Sequence, residues 1–233
     1  MLGPREPGMD NGYYDFSAIK TRPVLKWPNN AKVALCVVIS MEHYEWGQPE
    51  NGYKSPAVPG LGGGPFPDIR AFSLREYGPR VGIFRLIKVL EKYGLKGTVA
   101  VDKLVAENFP FVVKECQKRG YEFIGHGMSL KRMITSKMSD EEERAYIKSS
   151  IEAVTKATGA RPRGWLGIEY GESFNTPELL AEQGIEYNLD WPNDEQPYRM
   201  NVSNGVMYSL PVSIELEDTW TNWTKHVYIV DYG

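Results

Sequence analysis

The sequence predicts an α/β fold built on a parallel sheet, and three observations point there. Short apolar runs rich in β-branched residues alternate with helical patterns from about residue 33 to residue 212. The first run, residues 32–40 (KVALCVVIS), is nearly continuous, as in a strand covered on both faces. No glycine-rich turn follows it, which disfavours a dinucleotide-binding fold and leaves a barrel or an open doubly wound sheet.

The elements follow in order. Residues 1–30 are rich in Pro, Gly, Asn and Tyr without a period and read as an arm lying over a domain formed by residues 31–233. After the first strand comes a long loop with Pro49, Pro56, Pro59, Pro65 and Pro67 and the glycines Gly60, Gly62, Gly63 and Gly64. No Lys-Ser/Thr follows those glycines, so they read as a plain loop rather than a phosphate cradle. Val81, Ile83, Phe84, Ile87 and Leu90 recur at helical spacing, with Gly94 to stop the helix. Residues 97–101 (GTVAV) form a strand, residues 103–119 a helix broken near Pro110, and residues 121–125 (YEFIG) the next strand. Ser139 and Glu142 make a capping box for a helix running to about Thr158, closed by Gly159. A short strand over residues 163–167 precedes a helix that Thr176 and Pro177 begin and Gly184 ends. Strands at 185–191 and 206–212 complete the pattern.

Composition narrows the partners. A chain of 233 residues is one large domain or two small ones, and a net charge of -3 gives no basic field for nucleic acid. No apolar run approaches a membrane span, and residues 1–7 (MLGPREP) lack the pattern of a signal peptide, so the expected compartment is the cytoplasm. Two cysteines, Cys36 and Cys116, are too few for a disulfide framework and read as buried or half-buried thiols.

In either parallel architecture the site lies at the C-terminal ends of the strands. Glu42 and His43 follow the first strand, His126 follows YEFIG, Arg163 and Trp165 lie in the strand at 163–167, and Asp190, Trp191 and Asp194 follow residue 189. A single histidine near a turn is ordinarily structural, but two histidines, a glutamate and two aspartates on one rim point to chemistry.

These residues resemble the motifs of the NodB-type polysaccharide deacetylase superfamily, in its allantoinase-like branch. Glu42-His43 stands where that family has an acidic pair, and Gly125-His126-Gly127 resembles the start of its His-x-x-x-His motif. Arg161-Pro162-Arg163-Gly164-Trp165 resembles the Arg-x-Pro-aromatic motif, and the Asp-Trp segment is matched from Asp190-Trp191 through Asp194 to Pro197-Tyr198. The resemblance spans residues 33–217 and implies a distorted, incomplete (β/α) barrel of the NodB type. It implies hydrolysis of a non-peptide carbon–nitrogen bond in a small amide, ureide or N-acetylated sugar. Glu42 would be the base, with Arg163 orienting it and Asp190 hydrogen-bonding substrate or histidine. Trp165, Trp191 and Asp194 would bind substrate, and His43 and His126 would hold a divalent metal such as zinc.

The departures set further expectations. The motif's second histidine falls at Leu130, leaving two firm ligands where catalytic zinc commonly has three, so the metal is expected to bind weakly or not at all. The family's terminal catalytic histidine has only His226 as a counterpart, too early and with the wrong neighbours, as in a shortened member. Two alternatives stay open: a non-catalytic carbohydrate- or ureide-binding protein, and a zinc-dependent sugar N-deacetylase. The proline-rich arm and loop offer a surface for a homo-oligomer.

Overall fold

Four of the parallel strands begin a few residues after a glycine that ends a helix in left-handed conformation: Gly94, Gly120, Gly159 and Gly184, with φ between 66° and 75°. At such a C-terminal position any side chain would meet the backbone, so glycine sets where each helix stops and the next strand starts. The computed structural model describes residues 10–47, 52, 67–219 and 221. The glycine cluster at 60–64 and His226 lie outside the described residues.

Strand β1 (Val37–Met41) pairs in parallel with β2 (Gly97–Val101), β2 with β3 (Glu122–Gly125), and β3 with β4 (Gly164–Trp165). Strand β4 pairs in parallel with β5 (Tyr187–Asn188) and β5 with β7 (Met207–Ser209), while β6 (Tyr198–Met200) lies antiparallel on β7. The sheet does not close: among the described residues β1 and β6 are its edges. This is the incomplete parallel architecture that the sequence implies.

The expected helices form with their punctuation. Ser139 and Glu142 complete a capping box on α5 (Asp140–Thr158), and Pro177 sits in the first turn of α6 (Thr176–Glu182). The break near Pro110 divides α3 (Lys103–Asn108) from α4 (Pro110–Lys118). Ahead of α2 (Ile83–Lys92) the sequence analysis assigns only loop, yet α1 (Ile69–Tyr77) lies there, joined by a π-helical turn at Gly78–Gly82. Of α1's residues only Ala71 is buried, while Ile69, Leu74 and Tyr77 are exposed, so it carries no apolar stripe to read.

Three readings need correction. The run at 32–40 is not a strand covered on both faces: it belongs to an edge, residues 31–36 are exposed, and the ladder starts at Val37. Cys36 is therefore exposed, while Cys116 is buried. The strands expected at 163–167 and 185–191 shrink to two residues each, Gly164–Trp165 and Tyr187–Asn188.

The core has two main parts. Ile39, Met41, Ile87, Val99 and Val112 pack on the β1–β2 side, and Ile147, Ile151, Trp165, Leu180 and Met207 pack on the β4–β7 side. The described part of the N-terminal arm lies against residues 174–201: Asn201 N–H donates to Tyr13 O at 2.7 Å, and Arg22 pairs with Asp194 at 2.8 Å. No described helix is long and apolar enough to cross a membrane.

Candidate active site

Strand β1 ends at Met41, so Glu42 and His43 both lie beyond the ladder and are free of its face-to-face alternation. Three strands away, β4 ends at Trp165 and presents the carbonyl of Leu166. Between them His126 follows β3, with its ring 2% exposed. His126 Nδ1 donates to Leu166 O at 2.5 Å, and Nε2 lies 3.0 Å from Glu42 Oε1. A carbonyl only accepts, so Nδ1 carries hydrogen and Nε2 must share a proton with the carboxylate facing it. Burial opposes a charged imidazole, but the bond to Glu42, its charge, the Leu166 carbonyl and the charge of Asp102 outweigh it, and the pKa of His126 is raised.

Asp102, which follows β2, sits beside this pair and is fully buried. Its carboxyl accepts His43 N–H at 2.6 Å and, as the N-cap of α3, Val105 N–H at 2.7 Å. Burial nevertheless pushes its pKa up to about 7 from an ordinary 3.8. Between those values the folded chain keeps a proton that the unfolded chain has released, so stability falls as pH rises through this window. Urea denaturation from pH 5 to pH 7 is expected to show a downward slope approaching about 1.4 kcal/mol per pH unit from this group. Asp102→Asn should flatten it, and equal slopes in the two proteins would contradict the assignment.

The other sequence-designated residues are not all brought here. His43 lines a small pocket with Glu42, Tyr44, Phe72, Arg75, Glu76, Pro79 and Phe109. Its ring stacks 5.7 Å from Phe109, and burial lowers its pKa against the charges of Glu45 and Glu76. Arg163 is not delivered to Glu42. It precedes β4, at the opposite end of the strand, and forms an exposed bidentate pair with Glu186. Trp165 is no pocket wall: it is fully buried, facing Gly125 across the β3–β4 pair.

Asp190 is buried and supports a neighbouring turn. It accepts Gly167 N–H at 2.6 Å through Oδ1, and Oδ2 has no partner while the carboxyl is ionised. Burial first, then the charge of Glu172, raises its pKa well above the usual carboxylate value; once protonated, it can donate to Glu172. Glu172 Oε1 also accepts from Asn188 Nδ2 at 2.6 Å and Trp191 Nε1 at 3.0 Å. Trp191 packs on Tyr13 and Tyr14. Asp194, paired with Arg22, lines a cleft of about 600 Å³ between the arm and residues 193–198.

The donor set does not fit a three-ligand metal. Among the described residues no three His, Cys, Asp or Glu side chains are arranged to hold an ion. His43 packs on Phe109, and the position the motif gives to a second histidine is Leu130, whose N–H donates to His43 O at 3.1 Å. Asp102 belongs to none of the quoted motifs, although it follows GTVAV directly and the strand-end rule selects it. Glu169 and Tyr170 are marked by no motif either and stand out by backbone conformation.

The chain and its fold have known counterparts. Residues 74–187 match the family model for polysaccharide deacetylase. The chain carries a polysaccharide deacetylase domain. Over 190 residues it is 30% identical to a Schizosaccharomyces pombe protein provisionally named a polysaccharide deacetylase, covering 74% of this chain and 57% of that one. It is also 30% identical over 150 residues to a Helicobacter pylori peptidoglycan deacetylase, covering 64% of this chain and 49% of that protein. The chain thus spans about half the length of these curated relatives. Among solved structures, a provisionally named polysaccharide deacetylase from Pseudomonas aeruginosa superposes with a TM-score of 0.72 at 25% identity, over 86% of this chain and 69% of that one. PuuE allantoinase superposes with a TM-score of 0.74 at 24% identity, over 88% of this chain and 70% of that one, a likeness of fold.

Proposed function

We propose that the chain hydrolyses the carbon–nitrogen bond of an amide or ureide, with Glu42 taking the proton of the attacking water. The observation that carries this reading is the Glu42–His126 pair at the strand-end rim, its ring oriented by the bond from Nδ1 to the Leu166 carbonyl. Amide hydrolysis needs a base for water and a donor for the developing oxyanion. As the water's oxygen bonds to the carbonyl carbon, its proton passes to Glu42. The neutralised carboxyl then holds Nε2–H of His126 less strongly, and that donor can turn to the oxyanion. Collapse breaks the carbon–nitrogen bond and leaves the nitrogen requiring a proton. A small ureide and an N-acetylated sugar both present the bond this machinery needs, and the deacetylase and allantoinase likenesses support these two classes.

The test is turnover of allantoin and of N-acetylglucosamine oligomers by the purified chain, followed by product release and by direct binding. Turnover of either supports the reading. Binding of either without turnover makes the chain a binding protein and overturns it. With no three-ligand cluster among the described residues and Leu130 in the place of the motif's second histidine, dialysis against EDTA is expected to change turnover by less than about twofold, with zinc well below one equivalent by elemental analysis. Chelator-sensitive turnover with stoichiometric zinc would instead favour a metal-dependent N-deacetylase.

A further inference from the structure

Two consecutive residues after β4, Glu169 and Tyr170, adopt left-handed backbone conformation with φ of 54° and 56°. Left-handed conformation is uncommon for residues other than glycine and asparagine, and it persists where the surroundings impose it. Here the turn is clamped at both ends. Gly167 N–H is held by Asp190, a Cβ on Gly167 would lie 2.8 Å from Gly171 O, and a Cβ on Gly171 would lie 2.6 Å from Met133 and 2.9 Å from Ile134 O. Within the turn, Tyr170 N–H donates to Gly167 O at 3.0 Å and Gly171 N–H to Ile168 O at 2.9 Å.

The clamp displays Glu169 on the rim. It remains open to solvent while protein crowds its carboxyl, near enough to Glu42, Glu217, Arg75 and His126 for their charges to act on it. Leu166, three residues before it, is the residue that fixes His126. Strained backbone beside a paired base and imidazole, held by a buried carboxyl, is how a fold positions a reacting group.

We propose that Glu169 is the acid that protonates the leaving nitrogen, complementing Glu42 as the base. The idea rests on the hydrolase reading above. As the carbon–nitrogen bond breaks, its electron pair goes to nitrogen, which takes the proton of Glu169. Glu169 then recovers a proton from solvent and Glu42 releases one, so that one water is consumed in all. Burial, with the charges of Glu42 and Glu217, raises the pKa of Glu169 against the opposing influence of Arg75 and His126, so the carboxyl retains its proton further toward neutrality. Tyr170 shares this environment, and its hydroxyl is pushed up to about 12.

Glu169→Gln, Glu169→Asp and Glu169→Gly test the proposal on whichever of allantoin or the N-acetylglucosamine oligomers wild type turns over. Glu169→Gln is expected to lower kcat about a hundredfold with KM within about twofold, and to abolish the alkaline limb of the kcat–pH profile. Glu169→Asp should recover part of kcat. Glu169→Gly should lose activity like Gln while its Tm stays level or rises, because glycine relieves the left-handed strain. An active wild type with an equally active Glu169→Gln, an unchanged alkaline limb, or an effect on KM alone overturns the proposal while leaving the hydrolase reading intact. A wild type inactive on both substrates overturns the hydrolase reading and this proposal with it.

Discussion

Glu42→Gln is expected to lower kcat by about 10²–10⁴-fold, the range that general-base catalysis contributes. The amide keeps the size of the carboxyl and an oxygen that can accept from His126 Nε2, now 3.0 Å from Glu42 Oε1, so the pocket should hold its shape. What is lost is a group able to take a proton from water. Because the change falls on a step beyond binding, KM should move little and kcat/KM should fall with kcat. The Tm should remain close to that of wild type. Steady-state kinetics beside a thermal melt makes the comparison, and a variant as active as wild type would remove Glu42 from the chemistry.

The second large effect concerns folding. Trp165→Ala is expected to cost about 3–5 kcal/mol, as aromatic-to-alanine changes in cores do. The indole is fully buried, in a cluster with Ile147, Ile151, Leu180 and Met207. Its place exists because Gly125 has no side chain: a Cβ there would lie 2.7 Å from Trp165 Cε3. Domains of this kind are stable by about 5–15 kcal/mol, so the substitution removes a large share. Urea titration should show a lower midpoint at an unchanged m value. A loss below about 1 kcal/mol would mean that the ring is not the packed element described above, and would revive a role for it in substrate binding.

The contrast between Glu42 and Trp165 shows how far the sequence could be read. Both were selected by position near a strand end, and position was right for each. Direction was not legible. Trp165 is the last residue of β4, and the pleat turns it into the core, whereas Glu42 lies past β1 and is released from the pleat. Arg163 fails for a different reason, since it precedes β4 at the end away from the rim, where it pairs with Glu186. The capping box of α5 and the glycine stops were legible because they are local chemistry. Helix α1 was not, because it buries little, and β6 was not, because three residues are too few to show alternation. Glu169 depends on contacts from Asp190, Met133 and Ile134 that impose its backbone angles, and tertiary constraint of that kind leaves no pattern in the neighbouring residues.

The arm that rests on the β5–β6 side has a consequence for the order in which this chain assembles. Tyr13 reaches Phe174 across 161 residues, Arg22 reaches Asp194 across 172, and Asn201 returns to Gly12 across 189. Pairings so distant in sequence must close most of the chain into a loop before they gain anything, and they form late. The arm's contacts are therefore expected to form among the last, after the strands from β1 to β5 have found one another. Interactions that are absent from the transition state act on the rate of opening rather than of folding. The arm is thus expected to act as a latch that slows the opening of the assembled sheet.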